Sequence, residues 1–167
     1  MVALRGVLSI SVRPQPVPML TKEQLKRLSP LARRFRDRFA EELGRVDHVE
    51  EFSDRYELAI PPAHPDVGEL RVRDDGDELT ISVGPHHWHV SLYLFEDALE
   101  PQRVPLAADA AIDGVRDVLQ ERTILRVTHR GGQLVSTHSY TVDHPRVHPA
   151  SPDDKEYTWR GPRVSID

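Results

Sequence analysis

The most unusual local feature of the sequence is the run His86-His87-Trp88-His89, which holds three of the nine histidines. If this run is a strand, His87 and His89 project from the same face, two residues apart. Two imidazoles so placed can bind one metal ion, and a zinc site needs at least three protein ligands. We therefore take His87 and His89 as candidate metal ligands. His129 or His138 could supply a third ligand if the hairpin that carries them pairs beside this strand.

The same run also has a structural interpretation, because histidine is common at turns and on half-exposed strands. The sequence contains no Walker loop and no GxGxxG, GxSxG or HExxH motif. The absence of cysteine excludes a Cys-His pair, a thiolate zinc site and disulfides. A Ser-His-Asp triad could use Ser136 or Ser139, but no spacing selects either one. We expect no cofactor, and a small metal-dependent enzyme using the His-x-His pair is the alternative hypothesis.

Four residues are candidates for binding a partner protein: Trp88, Asp74, Asp75 and Asp77. Tryptophan is enriched at binding hot spots, although one in an apolar alternation is more often part of a core. The three aspartates surround Gly76 and lack the ligand spacing of an EF-hand, so calcium binding is not predicted. Their local pattern is typical of a tight turn.

The formal net charge is −5, and the charges are unevenly distributed. Residues 22–45 contain eight basic and four acidic residues, whereas residues 46–100 contain three basic and fourteen acidic residues. An acidic central third disfavours general nucleic-acid binding, since phosphate neutralisation supplies most of that affinity. It suits a basic protein partner. Contact with RNA through a helix face rich in arginine is a weaker hypothesis, resting on Arg33, Arg34, Arg36 and Arg38.

Length and composition indicate one water-soluble domain. The chain has 167 residues, of which 38% are hydrophobic, and no apolar run approaches the roughly 20 residues that a transmembrane helix needs. We therefore expect a cytoplasmic protein with no membrane partner. Residues 1–18 form a proline-rich leader that we expect to contribute little to stability, because proline cannot join a helix interior or a central strand. Residues 19–167 are predicted to form a single α+β domain.

Two helices are predicted near the start of this domain. Thr21 and Gln24 have the spacing of a capping box, which opens a short first helix. Ser29-Pro30 then reads as a second N-cap followed by proline at the first helical position. Apolar side chains recur every fourth residue from there, and this second helix is predicted to end at Gly44. Its apolar stripe consists of Leu31, Phe35, Phe39 and Leu43.

An antiparallel meander is predicted over residues 55–95. Asp75-Gly76 is interpreted as a two-residue primed turn with positive φ at Gly76. That turn places Val72 opposite Leu79, Leu70 opposite Ile81 and Arg73 opposite Glu78, with one apolar face and one charged face. A further strand is predicted to alternate through Trp88, Val90, Leu92 and Leu94.

A central helix is predicted over residues 104–122, followed by a hairpin that turns at Gly131-Gly132. Centred there, Val127 would face Ser136 and Leu125 would face His138. Residues 144–154 are predicted to be a loop, and residues 157–160 a last short strand. The predicted fold class is α+β, an antiparallel β-meander plus a C-terminal hairpin packed against the N-terminal helices and one central helix. The hairpin is expected to extend the meander sheet.

A pattern of elements carries one resemblance. It runs from the strand ending at Gly84, through the histidine run and the helix around Ala110 to Val115, to the Gly131-Gly132 hairpin. Over roughly residues 78–141, the chain resembles small uncharacterised bacterial α+β proteins, some of which are similar to immunity proteins of polymorphic toxin systems. The resemblance implies a non-catalytic, immunity-like protein-binding domain that neutralises a partner protein, and an acidic surface would suit a basic toxin. It implies no particular functional residue.

Overall fold

The computed structural model describes residues 20–143 and 151–163. These residues form helices and two antiparallel sheets, which confirms the predicted α+β class. The proline-rich leader, residues 1–18, lies outside the described residues, as does the part of the predicted loop at residues 144–150. Among the described residues, no helix is both long and apolar enough to cross a membrane.

Both N-terminal helices form as predicted. Helix α1 spans Lys22–Arg27, and the Thr21 and Gln24 side chains each accept a hydrogen bond from the other residue's backbone, completing the capping box. Helix α2 spans Pro30–Leu43, and its N-cap Ser29 accepts a hydrogen bond from the Ala32 backbone. These caps satisfy amide donors that a helix start leaves without an intrahelical partner.

The predicted meander is the larger sheet, which has five strands in sequence order. Its strands are β1 Val49–Phe52, β2 Tyr56–Ile60, β3 Leu70–Asp74, β4 Glu78–Val83 and β5 His86–Ser91. Strand β1 was not predicted, because its sequence VEEF carries two glutamates and little apolar alternation. Strands β2 and β3 alternate buried and more exposed residues, so their apolar side chains collect on one face of the sheet.

The predicted β3–β4 register is wrong by two residues. Val72 pairs with Ile81, and Leu70 pairs with Val83. The hairpin closes between Asp75 and Glu78, where the Asp75 amide donates to the Glu78 carbonyl at 2.9 Å, so Gly76 and Asp77 occupy the tip. The expected positive φ at Gly76 is confirmed at +91°. Because a shift of two residues keeps every side chain on its face, the apolar alternation cannot distinguish the two registers.

The region after β5 differs from the prediction. The strand ends at Ser91, whose hydroxyl accepts a hydrogen bond from the Tyr93 backbone, and Leu92–Phe95 forms a short 3₁₀ helix. Helix α3 spans Glu100–Leu119, so it begins four residues before the predicted start. Pro105 therefore lies inside the first turns of the helix.

The C-terminal hairpin does not extend the meander sheet, and that expectation was wrong. It belongs to a second sheet with strand order β7-β6-β8-β9. Its strands are β6 Thr123–Arg130, β7 Gln133–Thr141, β8 Asp154–Thr158 and β9 Gly161–Pro162. The predicted turn is correct, since Arg130 pairs with Gln133. A bulge then shifts the pairing, so that Val127 faces Thr137 and Leu125 faces Ser139.

One hydrophobic core joins the helices to both sheets. Helices α2 and α3 pack against each other and cover one face of the five-stranded sheet. The core includes Phe35 and Phe39 of α2, Tyr56 of β2 and Ile112 of α3, all almost fully buried. Leu125, Trp159 and the partly buried Tyr157 bring the second sheet into the same core. The two sheets therefore share one hydrophobic core with α3.

Candidate functional site

His87 and His89 lie on the exposed face of β5, on the same side as predicted. Their ring centroids are 5.2 Å apart. Nδ1 of His89 lies 2.7 Å from a carboxylate oxygen of Glu78 and 3.2 Å from the hydroxyl of Thr80. One nitrogen of this ring is thus already engaged within the sheet. Across residues 20–143 and 151–163, no group of three or more histidine, aspartate or glutamate side chains is placed to hold a metal ion.

His86, the first histidine of the run, contacts the second sheet. Its Nε2 lies 2.9 Å from the hydroxyl of Ser139, and its Nδ1 lies 3.2 Å from the hydroxyl of Thr137. Burial lowers the pKa of His86, and the positive charges that His87 and His138 can carry lower it further. Of the two serines considered for a catalytic triad, Ser139 is therefore the one within hydrogen-bond distance of His86. The other ring nitrogen faces a hydroxyl where a Ser-His-Asp triad has a carboxylate.

Trp88 points to the opposite face from its histidine neighbours and is partly buried against the core. It packs on α3 at Gly114, where a Cβ would lie 3.4 Å from Nε1 of the indole. A Cβ at this position would be in ordinary van der Waals contact with the ring. Much of the Trp88 side chain is engaged within the fold.

Two of the three candidate aspartates are engaged within the chain. The Asp74 carboxylate accepts hydrogen bonds from the Ser29 amide at 3.0 Å and the Gly76 amide at 2.9 Å. The Asp75 carboxylate pairs with Arg55 and Arg73. Asp77 is exposed at the tip of the hairpin. Of these three aspartates, only Asp77 therefore presents a carboxylate that no hydrogen bond or ion pair from the described residues engages.

The pKa of Asp75 is lowered by the same contacts within the chain. Burial raises the pKa of this carboxyl, but hydrogen bonds from Thr80 and Arg73 and the charge of Arg73 oppose burial, and the net pKa lies below its usual value. The Thr80 hydroxyl donates to Asp75 at 2.6 Å. The side chain is thus held as a carboxylate by its neighbours on the sheet.

A shallow cleft of about 350 Å³ lies between the end of α1 and two hairpin turns. Its lining includes Arg27, Phe52 and the Arg55–Asp75 ion pair. The Arg27 guanidinium lies 4.5 Å from the centre of the Phe52 ring. Arg55 and Asp75 neutralise one another, and the Asp74 carboxylate accepts hydrogen bonds from backbone amides. These charges therefore do not converge on a free position for a ligand.

The strongest candidate for a functional surface was not predicted. We call it the lobe, defined as residues 92–106, which include the 3₁₀ helix and the start of α3. Tyr93 and Leu99 are 74% and 70% exposed, and Leu94 and Leu106 are exposed as well. Three residues per turn place Leu92 and Phe95 towards the core, so Tyr93 and Leu94 point outward. The lobe thus collects four large apolar side chains on the surface.

Arg103 fixes the shape of the lobe. Its guanidinium donates to the Glu96 carbonyl at 2.7 Å and to the Ala98 carbonyl at 3.2 Å. Leu99, the N-cap of α3, and Leu106 within the helix lie four residues before Arg103 and three residues after it, a spacing that places side chains on one side of a helix. The Arg103 contacts therefore link the start of α3 to the segment that follows Tyr93 and Leu94.

The sequence did not predict the lobe because Leu92 and Leu94 continue the apolar alternation of the preceding strand. Trp88, Val90, Leu92 and Leu94 alternate, which predicted a strand to Leu94. The available signal was Ser91, a residue type whose hydroxyl can cap the start of a helical turn.

Comparisons with known proteins give no further direction: no protein-family model, no curated protein and no solved structure matches the chain.

Proposed function

We propose that this protein is a non-catalytic protein-binding domain that binds its partner through the lobe. The observation that carries the proposal is the exposure of Tyr93, Leu94, Leu99 and Leu106 within one stretch of fourteen residues. Burying a large apolar side chain against a partner lowers its free energy, and exposed apolar residues surrounded by polar ones are typical of an interaction site. Tyrosine is also enriched among the residues that dominate binding energy.

The proposal extends to an immunity-like role, in which the bound partner is a toxin that the protein neutralises. Support comes from the resemblance stated above and from the acidic stretch at residues 46–100, which suits a basic toxin. The test is co-expression with the product of the adjacent gene. We expect that product to arrest growth alone and to be relieved by the wild-type protein, but not by a Tyr93→Ala/Leu99→Ala variant.

Site-specific photo-crosslinking tests binding through the lobe directly. A photoreactive phenylalanine analogue at position 94 should crosslink one partner protein in the cells that produce the chain. The same analogue at position 134 is the matched control, because Leu134 is an exposed apolar residue on the second sheet. Equal crosslinking at both positions, or no crosslink at position 94, would contradict the proposal.

The metal-dependent enzyme is retained as a second candidate because His87 and His89 share a face with rings 5.2 Å apart. Elemental analysis of the purified protein separates the two hypotheses. We expect no stoichiometric zinc, manganese or iron, and an intact fold in a His87→Ala/His89→Ala variant. Close to one transition metal per chain, lost in that variant, would favour the enzyme.

A further inference from the structure

We infer that the partner of the lobe is a basic protein surface, whose arginine or lysine side chains pair with Glu96 and Asp97 beside an apolar centre. The inference rests on the proposed function, in which the lobe is the binding surface. It adds the chemistry of the partner to the position of the site.

The first argument is that the acidic charge of the lobe is poorly neutralised. Within the part of the chain that the structure describes, the carboxylates of Glu96 and Asp97 form no hydrogen bond or ion pair. By contrast, Glu57 and Glu69 of the open sheet face both pair with Arg71. The exposed apolar residues therefore stand beside carboxylates that are free to meet cations from another molecule.

The second argument concerns Arg103, the only basic residue in the lobe sequence. Its guanidinium is directed to the carbonyls of Glu96 and Ala98 and pairs with Glu100 at 2.9 Å. The arginine thus holds the lobe together and offsets only part of the negative charge. A surface already held in shape loses less conformational entropy on binding.

The third argument is complementarity. Protein interfaces place aromatic and aliphatic residues at the centre and charged residues at the rim, and the lobe has this composition. An arginine of the partner could stack on the exposed Tyr93 ring while it pairs with a carboxylate. An acidic partner would instead be repelled by the free carboxylates.

A second copy of the chain fits the lobe less well. In a two-fold symmetric dimer the same patch meets itself, which would bring Glu96 and Asp97 of both copies together. Like charges placed opposite one another at an interface cost free energy. The charge of the lobe therefore favours a different, basic molecule over self-association.

Selection from a phage-displayed library of random twelve-residue peptides tests the inference on the full chain. We expect selected peptides to combine arginine or lysine with aromatic or leucine residues. Their binding should weaken at least fivefold in a Glu96→Gln/Asp97→Asn variant and at high salt. An Asp37→Asn/Glu51→Gln variant is the matched control, because it removes two exposed carboxylates outside the lobe.

The outcomes separate the two levels of the proposal. Peptides that lose binding in a folded Tyr93→Ala/Leu99→Ala variant but carry no excess of basic residues would overturn the inference and leave the lobe as the site. A dimer in sedimentation that the same variant dissociates would also overturn it. Peptides that are insensitive to this variant, or a failure to select any peptide, would contradict the proposed function and the inference together. Circular dichroism of each variant establishes that it is folded.

Discussion

At the scale of single residues, His86 stands out because its neutral imidazole lies between the two sheets. The pKa of His86 is lowered in the folded protein from the ordinary histidine value of about 6.5. As the pH falls through that value, the unfolded chain therefore binds a proton at His86 more readily than the folded chain does. Stability should therefore fall as the pH falls through this range, and the contribution of His86 should be constant above it. The hydroxyls of Ser139 and Thr137 can accept hydrogen bonds from the protonated ring, so these contacts are not what opposes protonation. Burial and the neighbouring charges of His87 and His138 oppose it.

We predict that a His86→Gln variant has a weaker pH dependence of stability than the wild type. The difference in unfolding free energy between pH 7.5 and pH 5.5 should be smaller by about 1 kcal/mol or less, because one titrating group is removed. Urea denaturation at the two pH values measures this difference. Parallel pH dependence in the two proteins would show that His86 does not carry the effect.

A second residue-scale prediction concerns Glu50, which is only 8% exposed although it is charged. Its carboxylate accepts hydrogen bonds from Arg36 at 2.7 Å and 3.0 Å and from the buried Tyr56 hydroxyl at 2.9 Å. Glu50→Ala should destabilise the fold by about 2 kcal/mol, since it leaves both partners without their acceptor. Glu51→Ala changes the next residue, which is exposed, and should stay within about 0.5 kcal/mol. Similar losses in the two variants by urea denaturation would contradict this assignment.

At the scale of elements, the β3–β4 hairpin depends on the conformation of Gly76. Its φ of +91° is strained for residues that carry a Cβ, although nothing lies within 4 Å of the position that a Cβ would occupy. Gly76→Val should therefore destabilise by about 1 kcal/mol or more through backbone conformation alone. Asp77→Ala alters the neighbouring exposed tip residue and is expected to have little effect. A thermal midpoint for Gly76→Val equal to that of Asp77→Ala would overturn the interpretation.

At the scale of the whole molecule, one shared core predicts that both sheets unfold together. Trp88 lies in the five-stranded sheet, while Trp159 follows β8 of the second sheet and is buried with Leu125. In Trp88→Phe and Trp159→Phe variants, the remaining tryptophan reports on one sheet. Within each variant, fluorescence and far-ultraviolet circular dichroism should give the same urea midpoint, as a single cooperative transition requires. Different midpoints would mean that the sheets unfold separately.

The sequence by itself determined the features that depend on neighbouring residues. The caps at Thr21 and Ser29 and the four-residue apolar spacing located α1 and α2, because helix signals act within a few turns. Asp75-Gly76 and Gly131-Gly132 located the two hairpins. Alternation located the polar face that carries His87 and His89. The α+β class followed from the order of these elements.

Only the tertiary structure decided what depends on distant parts of the chain. The alternation of apolar and polar residues is unchanged by a two-residue shift in strand pairing, so it could not determine the β3–β4 register. It also could not reveal that the second hairpin forms its own sheet, since that depends on β8, whose pairing with β6 spans a long stretch of chain. The burial of Glu50 and the exposure of Tyr93 and Leu99 were equally hidden. Residue type sets the free energy of burial, but only the packed elements decide which side chains are buried.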